Sequence, residues 1–433
     1  MNFPHLQESF DRAAAKINPL IGGILDRALS GADISVDEAT QLFEADGADL
    51  PALILAANHL RTEAVGDIVT YVVNRNINFT NVCVKACGFC AFSRGHLADE
   101  GYFLPIEEII RRGQEARDLG ATEVCVQAGL APGFDGGHYI KLCRALKEAL
   151  PDVHIHGFSP EEVLYGSMLS GRSIRDYLKA LKDAGVGSLP GTSAEILVDE
   201  VRQQISPGRI TTRQWIELIQ TAHELGIPTT STIMYGHIET ARHKATHLAI
   251  LRDIQKQTGG ITEFVPLSFV YEEAPISHRN KIAGLRRGAT GAEVMKMYAV
   301  SRLMLNKWIP NLQVSWVKEG PKLSQIALLA GANDFGGTLI NESISTAAGA
   351  AYGQLMKPSE FRSLIRQMGR IPAERSTTYR DVRVFETENG SFDLLDQVNN
   401  PAERFGSYQN LIALKDFRFK DFYREQKNSL QTT

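Results

Sequence analysis

The chain has 433 residues, of which 43% are hydrophobic and 22% charged. That is ordinary for a globular protein and ample for a full-size core, though long for a single domain. A formal net charge of -4 gives no reason to expect nucleic acid or an anionic membrane as partner. The opening residues MNFPHLQESFDRAAAK show no secretory pattern, and the most apolar early stretch, Leu50 to Leu60, is too short to span a bilayer. The expectation is a cytoplasmic chain.

Residues 1–65 read as a helical segment. Leu20, Ile21, Ile24, Leu25 and Ala28 recur at helical spacing, and Ser35 with Glu38 forms a capping box. A third helix is expected over Leu50 to Val65. From residue 66 the pattern becomes strand followed by helix, repeated. Thr70–Phe79 is β-branched and alternating, and an amphipathic helix runs from Pro105 to Gly120. Thr122–Ala128 is a second strand, Gly137–Leu150 a helix, and DVHIHGF the third strand. Helix Ser173–Ala184 leads to a fourth strand around VGSLPG, and helix Thr211–Leu225 to a fifth at Thr229–Gly236. Helix Thr240–Gln257 precedes EFVPLSFV, helix Gly291–Trp308 precedes LQVSWV, and helix Lys322–Ala330 precedes DFGGTLI. Some eight such units predict a closed α/β barrel of the TIM type over 66–340. Residues 341–433 read as a C-terminal helical extension and tail, with the strand–helix rhythm gone after Tyr379.

Five cysteines are present, three of them within eight residues: Cys83, Cys87 and Cys90. An odd count clustered in this way suits a metal site better than a disulfide framework. The loop leaves the end of the first strand, where barrel active sites are built. A complete 4Fe-4S cluster takes four thiolates, so three leave one iron open to a small molecule. The competing reading is structural zinc with His96 or Cys125 as fourth ligand. Zinc sites usually pair their cysteines, and no second pair is present. Cys125 and Cys143 read as small core residues.

The CxxxCxxC spacing, with aromatic Phe89 before the third cysteine, resembles the signature of radical S-adenosylmethionine enzymes. NRNINFTNVCVKACGFCAFSR, HGFSPEEV, LPGTSAEIL, MYGHIET and FVPLSFVYEEAP together resemble the second subunit of FO synthase, over roughly Leu50 to Arg380. That resemblance implies a cytoplasmic transferase using a 4Fe-4S cluster and S-adenosyl-L-methionine. It implies coupling of the 4-hydroxybenzyl group of L-tyrosine to carbon 5 of 5-amino-6-(D-ribitylamino)uracil, in deazaflavin coenzyme biosynthesis. It implies an electron donor such as flavodoxin or ferredoxin, and the first FO synthase subunit as functional partner. Aminofutalosine synthase of menaquinone biosynthesis and a non-catalytic metal-binding protein are the alternatives.

By the same resemblance Cys83, Cys87 and Cys90 hold the cluster. Phe89, Gln127, Glu195 and Gly236 fall where S-adenosylmethionine would lie: Gln127-Ala128-Gly129 at a turn that holds its amino group, Glu195 toward the ribose, and Gly236 as a close approach for adenine. Ala128 stands where the family has glycine. For Arg202 and Arg209, each taken alone, a solvated surface arginine is the expected reading, with a fork onto the methionine carboxylate as the rival. His156 and Ser159, ending the third strand, and Glu273, after the sixth, are candidate substrate contacts. Tyr271 and Glu272 depart from the family's pattern. No residue presents itself as the base for the tyrosine amine.

Overall fold

Eight parallel segments close into a barrel in the computed structural model, which describes residues 4–85, 87–278, 282–387 and 392–424. The strands are β1 (Ile68–Val72), β2 (Asn74–Ile77), β3 (Glu123–Val126), β4 (His154–Gly157), β5 (Thr229–Tyr235), β6 (Ile261–Ser268), β7 (Asp334–Gly337), β8 (Ile371–Arg375) and β9 (Val382–Val384). β1 and β2 are two halves of one barrel strand. β2 pairs in parallel with β3, and β3 with β4. Single parallel bridges then carry the ring onward, His156 to Ser188 and Leu189 to Thr229. β5 pairs with β6, Phe264 bridges to Leu312, Gln313 to Asp334, and Arg75 to Ile340 closes the circle. All eight expected strands are therefore present, the fourth and seventh reduced to isolated bridges.

Local chemistry explains the helices around the ring. Ser35 caps its helix by accepting from Glu38 N at 3.2 Å while Glu38 accepts from Ser35 N at 2.8 Å, the expected box. Thr211, Thr240 and Thr290 start helices 212–224, 241–258 and 291–305 in the same reciprocal way. The expected helix Lys322–Ala330 instead begins at Trp316 and is broken at Gly320, with φ 81°. The N-terminal helices 36–44 and 49–65 pack on the outer helices 241–258 and 291–305. No helix among the described residues is long and apolar enough to cross a membrane.

The C-terminal region is not simply helical. It contributes helix 358–367 but also β8, which pairs with β1, and β9, antiparallel to β8. The sequence reading missed these strands because IPAER carries little alternation. The tail folds back: Phe419 N donates to Gly101 O and Phe103 N to Phe417 O, both at 2.8 Å. Phe103 stacks on Phe422 with centroids 4.4 Å apart. The segment leaving the cysteine loop is thereby covered by residues more than 300 positions away in sequence.

Strand alternation decides what faces inward. In register across β2, β3 and β4 lie Asn76, Cys125 and His156, all on the inside, while Val124, Val126 and Ile155 pack outward into the core. Toward the N-terminal ends of the strands the barrel is closed by charge. Arg375, just past the pairing with β1, donates to Glu263 at 3.0 Å and also holds Asp334, while Tyr379 Oη donates to Asp334 at 3.0 Å. Above this floor the barrel is hollow.

Candidate active site

The cysteine loop follows β2 and is pinned at several places. Cys83 N donates to Arg94 O at 3.1 Å, Arg94 N to Asn81 O at 2.8 Å, and Val84 N to Leu130 O at 2.8 Å. The tip is clamped at Gly88, whose N–H donates to Ile205 O at 2.8 Å and whose carbonyl accepts from Ile276 N at 2.7 Å. An added Cβ there would sit 3.1 Å from Ile205 O and 3.2 Å from Ile276 Cβ. Ile205 and Ile276 belong to a small apolar cluster with Phe269 and Ala274, against which Phe89 packs. All three cysteines are half-buried and line one cavity of about 400 Å³. Burial pushes the Cys87 thiol up to about 12 against the opposing pull of Arg209, and burial raises Cys90 as well.

Beside the thiols stands a dense charged group. Arg209 Nη1 lies 2.7 Å from Glu195 Oε1 and 3.6 Å from Cys87 Sγ, and its Nε lies 3.2 Å from Glu161 Oε2. Glu161 also accepts from Ile210 N at 2.8 Å and pairs with Lys85 at 3.3 Å. Glu195 sits at φ 38° and Ser193 at φ 68°, a left-handed conformation that side chains resist. Arg202 holds that loop in shape. Its guanidinium is 3% exposed and donates to the carbonyls of Ser193 at 3.0 Å and Ile196 at 3.3 Å, and to those of Ala194 and Ile210. Both arginines are thus built in rather than solvated.

The other walls come from the strand ends. Gln127 Nε2 donates to Thr192 Oγ1, and Ala128 N donates to Glu162 at 2.9 Å. Burial lifts Glu162 to about 7, although Ser159 donates to it. His156 Nδ1 and His154 Nε2 meet at one hydroxyl, Ser188 Oγ, at 2.6 and 2.7 Å. Burial pushes His156 down to about 4, so the ring is neutral at pH 7.

Residues 77–249 match the Radical SAM superfamily model, and residues 258–387 the CofH/MqnC C-terminal region. A 5-amino-6-(D-ribitylamino)uracil–L-tyrosine 4-hydroxyphenyl transferase of Methanothermobacter thermautotrophicus is 50% identical over 359 residues, covering 83% of this chain and 97% of the relative. One of the same name from Methanocaldococcus jannaschii is 50% identical over 351 residues, covering 80% and 97%. The chain belongs to this radical SAM family. Among solved structures, methylornithine synthase (PylB) aligns with TM-score 0.62 at 20% identity, covering 81% of this chain and 97% of that one. HydG of Carboxydothermus hydrogenoformans aligns with TM-score 0.65 at 16% identity, covering 87% and 85%. Both support the barrel.

The residues suit the cofactors that radical SAM enzymes use. Among the described residues no three His, Cys, Asp or Glu side chains gather as around one metal ion. A cubane does not require that, since each thiolate sits on its own iron. His96 is exposed and stacks edge-on against Tyr423, far from the role of a fourth zinc ligand. Glu195 Oε2 is buried in the cavity wall and accepts no hydrogen bond among the described residues, with Arg202 Nη1 3.8 Å away. A ligand hydroxyl is what such an oxygen lacks.

Several expectations change. Gly236 does not line the cavity. Its open face is taken by Gly288 and Ala289, the latter's N lying 2.5 Å from where a Cβ would be, and its N–H donates to Glu239. Glu273 is exposed and outside the cavity, its N–H tied to Ala348 O, because the chain turns away into Pro275. Arg202 shapes the loop and does not line the cavity. Cys143 is a core residue as expected, but Cys125 is on the cavity wall. Phe89, Gln127, Glu195, Arg209, His156 and Ser159 do meet there. Ser159 is mainly a helix cap, exchanging hydrogen bonds with Glu162. Sequence reasoning missed Glu123, Glu263, Lys318, Glu342 and Arg375. The first two stand out in the sequence as acids inside apolar strands.

Proposed function

We infer that this enzyme transfers the 4-hydroxybenzyl group of L-tyrosine to carbon 5 of 5-amino-6-(D-ribitylamino)uracil. Its cofactors are a 4Fe-4S cluster on Cys83, Cys87 and Cys90, and S-adenosyl-L-methionine. The observation that carries this reading is half identity to transferases of that name over nearly their whole length. The three-thiol cavity supports it. When bound, the cofactor pair supplies the hydrogen-atom abstraction that opens tyrosine for cleavage.

The chain's own residues divide the work. Arg209 and the apolar clamp at Gly88 hold the thiol loop rigid. The Glu195 carboxylate is oriented by Arg209 through Oε1, leaving Oε2 for a ligand hydroxyl. His156, fixed by Ser188, presents a neutral ring to the cavity, suited to hydrogen bonding with a polar heterocycle. The cavity walls and the charged floor bring both substrates together, and that proximity favours coupling over quenching of reactive species. Free thiols suit a reducing cytoplasm. A flavodoxin- or ferredoxin-type donor supplies the electron, and the first FO synthase subunit takes the product onward.

Anaerobic reconstitution with iron and sulfide, then S-adenosylmethionine, reductant, tyrosine and the diaminouracil, tests the reading. 5′-Deoxyadenosine and a coupled tyrosine–uracil product are expected. Absence of 5′-deoxyadenosine counts against the whole scheme, whereas its formation without coupled product counts against the substrates alone.

A further inference from the structure

The cavity's cations are already in use, with one exception. Lys85 is paired with Glu161 at 3.3 Å. Arg209 is shared between Glu195 and Glu161. Arg375 lies between Asp334 and Glu263. His156 is neutral and hydrogen-bonded to Ser188. Lys318 differs. It follows the seventh strand segment and lines the cavity, and its ammonium makes no hydrogen bond or ion pair among the described residues. Glu342, Glu319 and Cys90 act on it only through longer-range attraction.

Its acidic neighbours are satisfied elsewhere. Glu319 accepts from Tyr235 Oη at 2.7 Å and Tyr298 Oη at 2.8 Å. Glu342 accepts from Ser345 N at 2.8 Å and Thr346 N at 3.3 Å. Burial disfavours the Lys318 ammonium and lowers its pKa. Lys318 is half-buried at the cavity wall, where an unpaired ammonium is partly drawn out of water and an anionic ligand relieves that cost. The cavity that Lys318 lines also carries the apolar side chains of its chain neighbours Trp316 and Val317 and of Leu339 and Ile344, the kind of side chain an aromatic ring packs on.

We propose that Lys318 is the receptor for the α-carboxylate of the amino-acid substrate, with the phenol ring on the adjoining apolar wall. This rests on the tyrosine reading above. Of the two substrates, the diaminouracil carries no carboxylate, so only tyrosine brings the charge that Lys318 lacks. S-Adenosylmethionine also has a carboxylate. Arg209, 3.6 Å from Cys87, is already shared between Glu195 and Glu161, and the S-adenosylmethionine arm of the test separates the two carboxylates.

The test is equilibrium dialysis of the reconstituted holoenzyme, without reductant, against L-tyrosine, tyramine and S-adenosylmethionine. Wild type, Lys318→Met and Lys318→Arg are compared. Lys318→Met is expected to weaken L-tyrosine at least about tenfold, the loss of one charge-assisted contact. Lys318→Arg should recover part of that. Tyramine, lacking the carboxylate, should bind weakly to all three alike, and S-adenosylmethionine should bind equally, which also reports intact folding. Unchanged tyrosine affinity in Lys318→Met overturns the proposal. So does a loss confined to S-adenosylmethionine, or a fall in kcat with tyrosine affinity intact. Wild type that binds no tyrosine removes the substrate reading itself, and this subsite with it.

Discussion

Gly129→Ala is the sharpest single test of how the cysteine loop is held. Gly129 follows β3, and its N–H donates to Thr80 O at 2.9 Å. A Cβ at this position would lie 2.3 Å from Val82 O, 2.8 Å from Val82 C and 3.2 Å from Asn81 C. All three are backbone atoms, so no side chain can swing away. Ordinary carbon contacts begin near about 3.5 Å, so one segment must retreat by about 1 Å. Val82 is the residue before Cys83, so that retreat moves the first thiol. Overpacking of this kind costs about 1–3 kcal/mol of stability. A displacement of about 1 Å at reacting groups costs on the order of a hundredfold in rate. The assay pairs urea denaturation of the apo protein with iron content and 5′-deoxyadenosine formation after anaerobic reconstitution. Gly95→Ala is the control, since a Cβ there meets nothing within 4 Å. Gly129→Ala that binds iron and forms 5′-deoxyadenosine at the wild-type level would refute the reasoning.

Arg209→Met removes the cation that Glu195 and Glu161 share and leaves them the longer contacts to Arg202, at 3.8 Å, and Lys85, at 3.3 Å; a loss of about 1–3 kcal/mol is expected in urea denaturation. Adding Glu195→Gln should recover part of it, and purely additive losses would deny the coupling. Glu319 is lifted from 4.5 to about 7 by burial. The folded state therefore holds its proton more tightly than the unfolded one. Its contribution is fully present below pH 4.5 and is lost as pH rises to 7. Relative to wild type, Glu319→Gln should gain about 3 kcal/mol between pH 5 and pH 8, and a constant difference would show that Glu319 does not titrate there. Phe419, fully buried where the tail meets Gly101, should cost about 3–5 kcal/mol as Phe419→Ala. Limited proteolysis should then remove the tail first, and unchanged cleavage would show that this contact does not hold it.

The ring of strands was legible because its segments are β-branched and alternate with capped helices. The fourth and seventh were found from their place in the rhythm, and they are the two that pair only through single bridges. What escaped was the contribution from the far end of the chain. β8 offers Ile371, Ala373 and Arg375 where a strand reading seeks apolar alternation. Its value lies in a long-range pairing with β1 and in Arg375 meeting Asp334 and Glu263. No local window contains those partners, so no periodicity reveals them.

At the site, legibility followed the same division. The cysteines, Gln127 and Glu195 sit in short motifs whose function depends on neighbours in sequence, and they meet as expected. Gly236 and Glu273 were placed by strand-end position alone, and position alone cannot say which way a loop turns. Lys318 is the converse case. In VSWVKEG it reads as an ordinary solvent-facing lysine, and only closure of the barrel leaves it facing a cavity without a partner. An ion pair is a property of two residues distant in sequence, and so is its absence. The charges that hold the fold and the charge left over for a ligand are therefore separable only in three dimensions, by pairing each cation with its acid and finding which one remains.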